Sequence, residues 1–516
     1  MASAVVSERA ADVIVIGAGS AGAVVARRLV DGGARVLLLE AGGRDDNPAI
    51  HDPGRLHELW LSEVDWAYET VPQPHAAGRC LAWPRGKVLG GSSCLNAMIW
   101  VRGAPEDFDT WASLGAEGWS WDDVLPVYER IERREPGEPG TVSLVTSFEP
   151  DAIHVSIVQA ANECGIPSNS DYNGASQDGI SFMQYCIEDG IRHSTAAAYI
   201  RPVEADANLR LVTGATARRL LFDGARCVGV EWSEEGRIEK ARAAEVVACG
   251  GTIGSAQLLL LSGVGPAEHL RPHGIDVVAD LPGVGENLHD HLLSPVIFSA
   301  EREIGPPSPG LPACQTHLFW RSRPGLPAPD VQPIHFMVPM YEPWMAGPDN
   351  GFTLLGGMVR PRSRGTVRLT GPRPEDPVAL DPNILSCEAD LESLAAAVEL
   401  CRRVGAAPAL REWGAVERYP GRSVSTTDDV RQYVRETAIT YHHQVGTCKM
   451  GVDVEAVVDP RLAVHGVQGL RVADASIMPA VTTGNTHAPT VMIGERAAGW
   501  VAEALSAGPA HAGASA

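Results

Sequence analysis

From residue 12 the chain reads DVIVIGAGSAGAVVARRLVDGGARVLLLE, and apolar runs alternate there with glycine-rich breaks. Val13–Ile16 and Val36–Leu39 are continuous apolar runs of strand length, the pattern of strands covered on both faces. Between them Gly17, Gly19 and Gly22 make a GxGxxG turn, a helix is predicted over 23–30, and Gly32-Gly33 stops it. Strand, turn, helix and strand in this order predict a βαβ unit with a phosphate cradle, where backbone without side chains meets a pyrophosphate at a helix N-terminus. Glu40 closes the second strand and is placed to accept hydrogen bonds from a ribose. Its charge favours the free 2′-hydroxyl of FAD or NAD and would repel the 2′-phosphate of NADP. The motif alone does not separate FAD from NAD.

Further on, residues 121–131 carry apolar positions at roughly helical spacing, and NLRLVTGATARRLLF alternates as a strand does. VEWSEEGRIEK reads as a hairpin, with VVACGG as a strand returning towards the nucleotide unit, and GTIGSAQLLLLSGVG as a buried helix. REPGEPG, from Arg134, reads as a surface loop. GFTLLGGMVRP and GTVRLTG alternate as strands of an antiparallel sheet.

At 516 residues the chain is long enough for two domains, and its hydrophobic content of 45% is that of a soluble globular protein. A formal charge of −22 argues against nucleic acid or an anionic membrane surface as a partner. No apolar run reaches membrane-spanning length, and MASAVVSERA lacks the basic start and apolar core of a signal peptide. The ten cysteines show no metal spacing and read as thiols in a reducing cytoplasm. GPAHAGASA at the end reads as a frayed tail. His289 and His291 flank Asp290 in LPGVGENLHDH, but no further ligand nearby completes a site, and no metal is expected.

At WPRGKVLGGSSCLNAMIWVRG the chain closely resembles the glucose-methanol-choline (GMC) flavin oxidoreductases: Gly86, Lys87, Gly90, Gly91, Ser92, Ser93 and Asn96 match the family's first signature. GTIGSAQLLLLSGVG matches the second, and TYHHQVGTCKMG, VVDPRLAVHGVQGLRVADASIMP and GNTHAPTVMIGERAAGWV match its C-terminal region. The resemblance implies an α/β fold with a Rossmann-type FAD-binding domain formed by residues 1–150, 202–293 and 431–516. Residues 151–201 and 294–430 would form an α+β substrate domain with an antiparallel sheet. It implies one FAD, held by Gly17, Ala18, Gly19, Ser20, Ala21, Gly22, Glu40, Ala41, Trp66, Arg85, Gly86, Val88, Gly91, Ser92, Asn96, Ala97, Ala217, His442, Asp474, Ala475, His487 and Ala488. Attachment is expected to be non-covalent, because Leu95 stands where choline oxidase has the histidine that bonds its flavin.

The same resemblance places the catalytic base at His443, three residues before Gly446, with His442 pointing the opposite way if the stretch is extended. His487 occupies the position where the choline-like branch has asparagine, giving the His-His pair of the glucose oxidase and aryl-alcohol oxidase branch. Histidine suits a base because its pKa lies near working pH, and a second donor can hold the substrate oxygen. His443 is therefore assigned the base and His487 the donor, although the two could share the proton. The implied reaction is oxidation of a primary or secondary alcohol to an aldehyde or ketone, with electrons passed to oxygen or another acceptor. Its motifs are like those of choline dehydrogenase and pyridoxine 4-oxidase. A lyase with structural flavin, like the hydroxynitrile lyases, and an NAD-dependent dehydrogenase are the alternatives.

Overall fold

The two apolar runs that frame the glycine turn do pair, as β1 (Val13–Ile16) and β2 (Val36–Leu39), parallel and in register from Val13 opposite Val36 to Ile16 opposite Leu39. They form the centre of a five-stranded parallel sheet, ordered Leu209–Val212, β2, β1, Glu245–Ala248, Leu470–Val472. All eight side chains of β1 and β2 are buried, as strands sandwiched between layers must be. The computed structural model describes residues 11–135 and 137–507. MASAVVSERA, Pro136 of the REPGEPG run and the GPAHAGASA tail lie outside the described residues.

The helix after the turn, α1 (Gly22–Asp31), packs against the last helix, His487–Ala507. Close approach is possible because Gly494 faces α1: a Cβ there would lie 2.8 Å from the Ala21 carbonyl oxygen and 2.9 Å from Val24 Cβ. A buried carboxylate pins the pair. Glu495 accepts from the Arg28 guanidinium at 2.8 Å and from the Tyr199 hydroxyl at 3.0 Å. This packing sets the N-terminus of the last helix, and so His487, beside the glycine turn.

A second sheet of seven strands is antiparallel, ordered Val416–Tyr419, Leu292–Ser299, Gly351–Met358, Ile334–Phe336, Cys314–Phe319, Gly179–Phe182, with Ile439–Thr440 also against Leu292–Ser299. Its two faces follow the strand period of two. Gly356 lies against the helix Glu388–Gly405, where a Cβ would come within 2.9 Å of the Val398 nitrogen, whereas Leu293, Ile334, Phe336 and Leu355 look into a cavity. GFTLLGGMVRP supplies a central strand of this sheet. GTVRLTG does not join it: Thr366–Leu369 pairs with Val378–Asp381 as a separate hairpin, held by a bond from the Val367 nitrogen to the Gly285 carbonyl, 2.7 Å. The helix expected over residues 121–131 is Trp121–Ile131, and the expected hairpin is Arg226–Glu234 with Arg237–Arg242, joined by Ala215–Asp223 in a three-stranded meander. Among the described residues no helix is long and apolar enough to cross a membrane.

Candidate active site

One cavity runs from the carboxyl ends of β1 and β2 to the inner face of the seven-stranded sheet. Of the residues expected to hold a cofactor, its wall contains Gly17, Gly19, Ser20, Ala21, Glu40, Ala41, Trp66, Arg85, Gly86, Gly91, Ser92, Asn96, Ala97, Ala217, His442, Asp474, Ala475 and His487; His443 is there too. Ala18, Gly22, Val88 and Ala488 are buried behind the wall. Gly17 has φ +98°, and a Cβ on it would stand 2.4 Å from the Cys249 carbonyl oxygen, so the turn requires glycine. A Cβ on Gly19 would have Gly91 Cα at 3.8 Å as its nearest neighbour, and any longer side chain would project into the cradle. The Glu40 carboxylate is fixed by the Ala18 nitrogen at 2.9 Å and the Gly42 nitrogen at 2.8 Å. Burial pushes its pKa up to about 7 against those bonds. A glycine notch at a helix start with a fixed acid at the end of the next strand fits an adenine dinucleotide with free ribose hydroxyls.

At the other end the strand Ile439–Thr440 stops and the stretch 441–444 bends at His442 rather than continuing extended. His442 has φ +67°, its nitrogen donates to Thr440 Oγ1 at 2.7 Å, and its carbonyl accepts from Arg85 Nη2 at 2.8 Å. The alternation expected of an extended stretch therefore fails, and His442 and His443 both reach the cavity wall, His442 with its ring 4.9 Å from that of Trp60. His443 lies face to face with Tyr441, ring centroids 4.6 Å apart.

The hydrogen bonds around His443 define its tautomer. Gln332 Nε2 donates to Asn485 Oδ1 at 3.1 Å, which turns the Asn485 amide N–H towards His443 Nε2 at 3.2 Å. With the amides in this orientation Nε2 carries the lone pair, and the ring proton sits on Nδ1, donated to His291 Nδ1 at 3.0 Å. Burial holds the His443 pKa well below the usual histidine range, with His291, His442 and Arg85 adding to it. The ring is neutral at working pH and able to accept a proton. His487 takes a different partner: its Nδ1 is 3.0 Å from Ser20 Oγ, and Trp100 meets it edge-on. Burial, then Arg192, lower its pKa to about 4.

The residues of the His-Asp-His run each have a structural task. His289 Nε2 accepts from the Val481 nitrogen at 3.0 Å. Asp290 receives the His443 nitrogen at 2.8 Å, Gln444 Nε2 at 3.1 Å and the Thr440 hydroxyl, so it holds the turn that presents the base. His291 holds His443 from behind. Asn485 and His291 were not among the expected site residues, although both stand inside quoted motifs, GNTHAP and NLHDH. The two motifs meet on opposite edges of the His443 ring, a contact between distant segments that neither motif encodes.

Family models described as GMC oxidoreductase match residues 11–293 with their N-terminal part and 361–494 with their C-terminal part, and the chain belongs to this family. It is an FAD-dependent enzyme acting on CH–OH donors. Among curated relatives, an uncharacterized GMC-type oxidoreductase of Mycobacterium tuberculosis is 40% identical, over 94% of this chain and 98% of that one. The mitochondrial choline dehydrogenase of Mus musculus is also 40% identical, over 94% of this chain and 88% of the relative. Among solved structures, pyridoxine 4-oxidase from Mesorbium loti superposes with a TM-score of 0.90 at 32% identity, covering 94% of this chain and 98% of that one.

Proposed function

We propose that the chain oxidises a primary or secondary alcohol to an aldehyde or ketone, with His443 as the base and His487 as a donor to the substrate oxygen. The observation that carries this reading is the His443 ring, neutral by burial and with its Nε2 lone pair turned to the cavity. When bound, FAD supplies the hydride acceptor. An alcohol in the cavity would replace Asn485 as the donor to Nε2 and lose its hydroxyl proton there, as its carbinol hydrogen leaves as hydride. His487, anchored through Nδ1 to Ser20, would offer Nε2–H to the developing alkoxide. Residues 1–150, 202–293 and 431–516 would hold FAD, and 151–201 with 294–430 the substrate. The acceptor of the electrons would be oxygen or another oxidant, and the compartment the cytoplasm.

The test is stopped-flow reduction of the flavin by an alcohol without oxygen. His443→Ala should slow it by roughly 10²–10⁴-fold, the usual worth of a positioned base. His487→Asn, which keeps a donor, should cost less than His487→Ala. Flavin that no alcohol bleaches, in a protein that cleaves cyanohydrins, would favour the lyase reading instead. We also propose that FAD is held without a covalent bond, since the Leu95 side chain offers no bonding atom. Acid precipitation should leave the yellow colour in the supernatant. Colour in the pellet would refute it.

A further inference from the structure

Three formally charged residues line the cavity among the described residues: Glu40, Asp474 and Arg85. Both acids are engaged at the dinucleotide end. Glu40 is held by the Ala18 and Gly42 nitrogens, and Asp474 by the Gly251 nitrogen at 2.8 Å, Ser255 Oγ at 2.6 Å and the Ser476 nitrogen at 2.8 Å. The charge that bears on His442 and His443 is the Arg85 guanidinium, which hydrogen-bonds the Pro84 and His442 carbonyls and disfavours further positive charge at both rings. Asp290, bonded to the His443 nitrogen, is turned to that nitrogen, the Thr440 hydroxyl and the Gln444 amide, and is not on the wall. Apart from the amides of Gln444 and Asn485, which bond to Asp290 and Gln332, the wall against the histidines is Leu293, Ile334, Phe336, Met340, Leu355 and Ile439. Of the aromatic rings at this end, Tyr441 stacks on His443 and Trp60 leans on His442, and Phe336 by itself makes no box.

We propose that this wall selects an uncharged alcohol with an apolar carbon body and rejects quaternary-ammonium alcohols, even though a choline dehydrogenase is 40% identical to the chain. The proposal rests on the alcohol-oxidation reading above and names the substrate class of that site. A cation taken from water into this end of the cavity would find no carboxylate to pair with and no aromatic box to replace its hydration, only Arg85 repelling it. A polyhydroxylated alcohol would leave the hydroxyls that do not reach His443, His487 or Asn485 unpaired against apolar side chains. An aliphatic or aromatic body loses nothing there and buries its surface.

Choline and 3,3-dimethylbutan-1-ol have nearly the same shape, with a carbon in place of the charged nitrogen, so the pair isolates the charge. Holoenzyme flavin reduction without oxygen, measured against the concentration of each, should favour the neutral alcohol on the order of 100-fold or more. A rate with choline equal to or above that of its neutral counterpart overturns the proposal. The same pair is titrated for binding through the flavin absorbance and should show the same preference. If no alcohol reduces the flavin, the oxidation reading falls, while the binding ratio still decides the charge preference. Met340→Glu, with Met340→Gln as the uncharged control of similar size, should narrow the ratio by at least about tenfold. A ratio unchanged by Met340→Glu in protein that retains FAD would show that this wall does not meet the substrate, and would overturn the proposal as well.

Discussion

Burial of the His443 ring, whose Nε2 lone pair accepts from Asn485, sets how the base answers to pH. Because the ring's pKa is held well below its ordinary value, protonation of His443 should not slow flavin reduction between about pH 9 and about pH 6, where an ordinary histidine would already be protonating; a change near pH 7 would belong to Glu40 or Asp290, which burial raises to about 7. Asn485→Asp puts a carboxylate at that position and stabilises the imidazolium, so the His443 pKa rises. A protonated ring cannot accept the hydroxyl proton, and the rate should fall on the acid side of the new pKa. Stopped-flow reduction across this pH range measures it, and a variant profile the same as the parent's would mean that Asn485 does not face the base. At Glu40 the question is affinity. Glu40→Ala removes the fixed acceptor and should weaken FAD binding by about 1.5–3 kcal/mol. Titration of the deflavinated protein with FAD reads this, and unchanged affinity would take Glu40 out of the site.

Between elements, the contact of α1 with the last helix is what brings His487 to Ser20. Its pin is Glu495, whose side chain is 2% exposed while that of Arg28 is 30% exposed. Glu495→Ala strands a guanidinium that water can partly reach, so the loss should be about 2 kcal/mol, below the cost of breaking a fully buried pair. Thermal release of the flavin should move to lower temperature, and an unmoved midpoint would show that the pin is dispensable. This is also the scale at which the sequence stops being readable. β1, α1 and β2 were legible because local signals agree: apolar runs, glycines at fixed offsets, a terminal acid. The helix at residues 121–131 was legible for the same reason, its apolar period being local. The turn at His442 was not, since it depends on Arg85 and Thr440 taking up its backbone. Neither was the placement of His291 and Asn485 on one imidazole, which joins segments 152 and 42 residues from His443.

At the scale of the whole molecule, eight buried or half-buried histidines, at 154, 289, 291, 317, 335, 442, 443 and 487, have their pKa lowered by burial. A group whose folded pKa is depressed contributes stability that is present above its unfolded pKa and lost as pH falls. Six buried or half-buried carboxyls, Glu40, Asp107, Glu245, Asp290, Glu342 and Asp474, are raised by burial and act in the opposite sense over part of the same range. The histidines are more numerous, so unfolding should take up protons below about pH 6.5 and the calorimetric midpoint should fall from pH 7.5 to 5.5. A midpoint that rises over that interval would show that the carboxyls win. The central sheet has a consequence in time. Its strands come from residues 13–16, 36–39, 209–212, 245–248 and 470–472, and the helix that carries His487 follows the last of them. On the ribosome the glycine turn is therefore made more than 400 residues before the sheet edge and the helix beside the turn. A nascent chain stopped at residue 430 should retain no flavin, which makes cofactor capture wait for the strand 470–472 and the helix after it and leaves the early apolar strands to be sheltered until then.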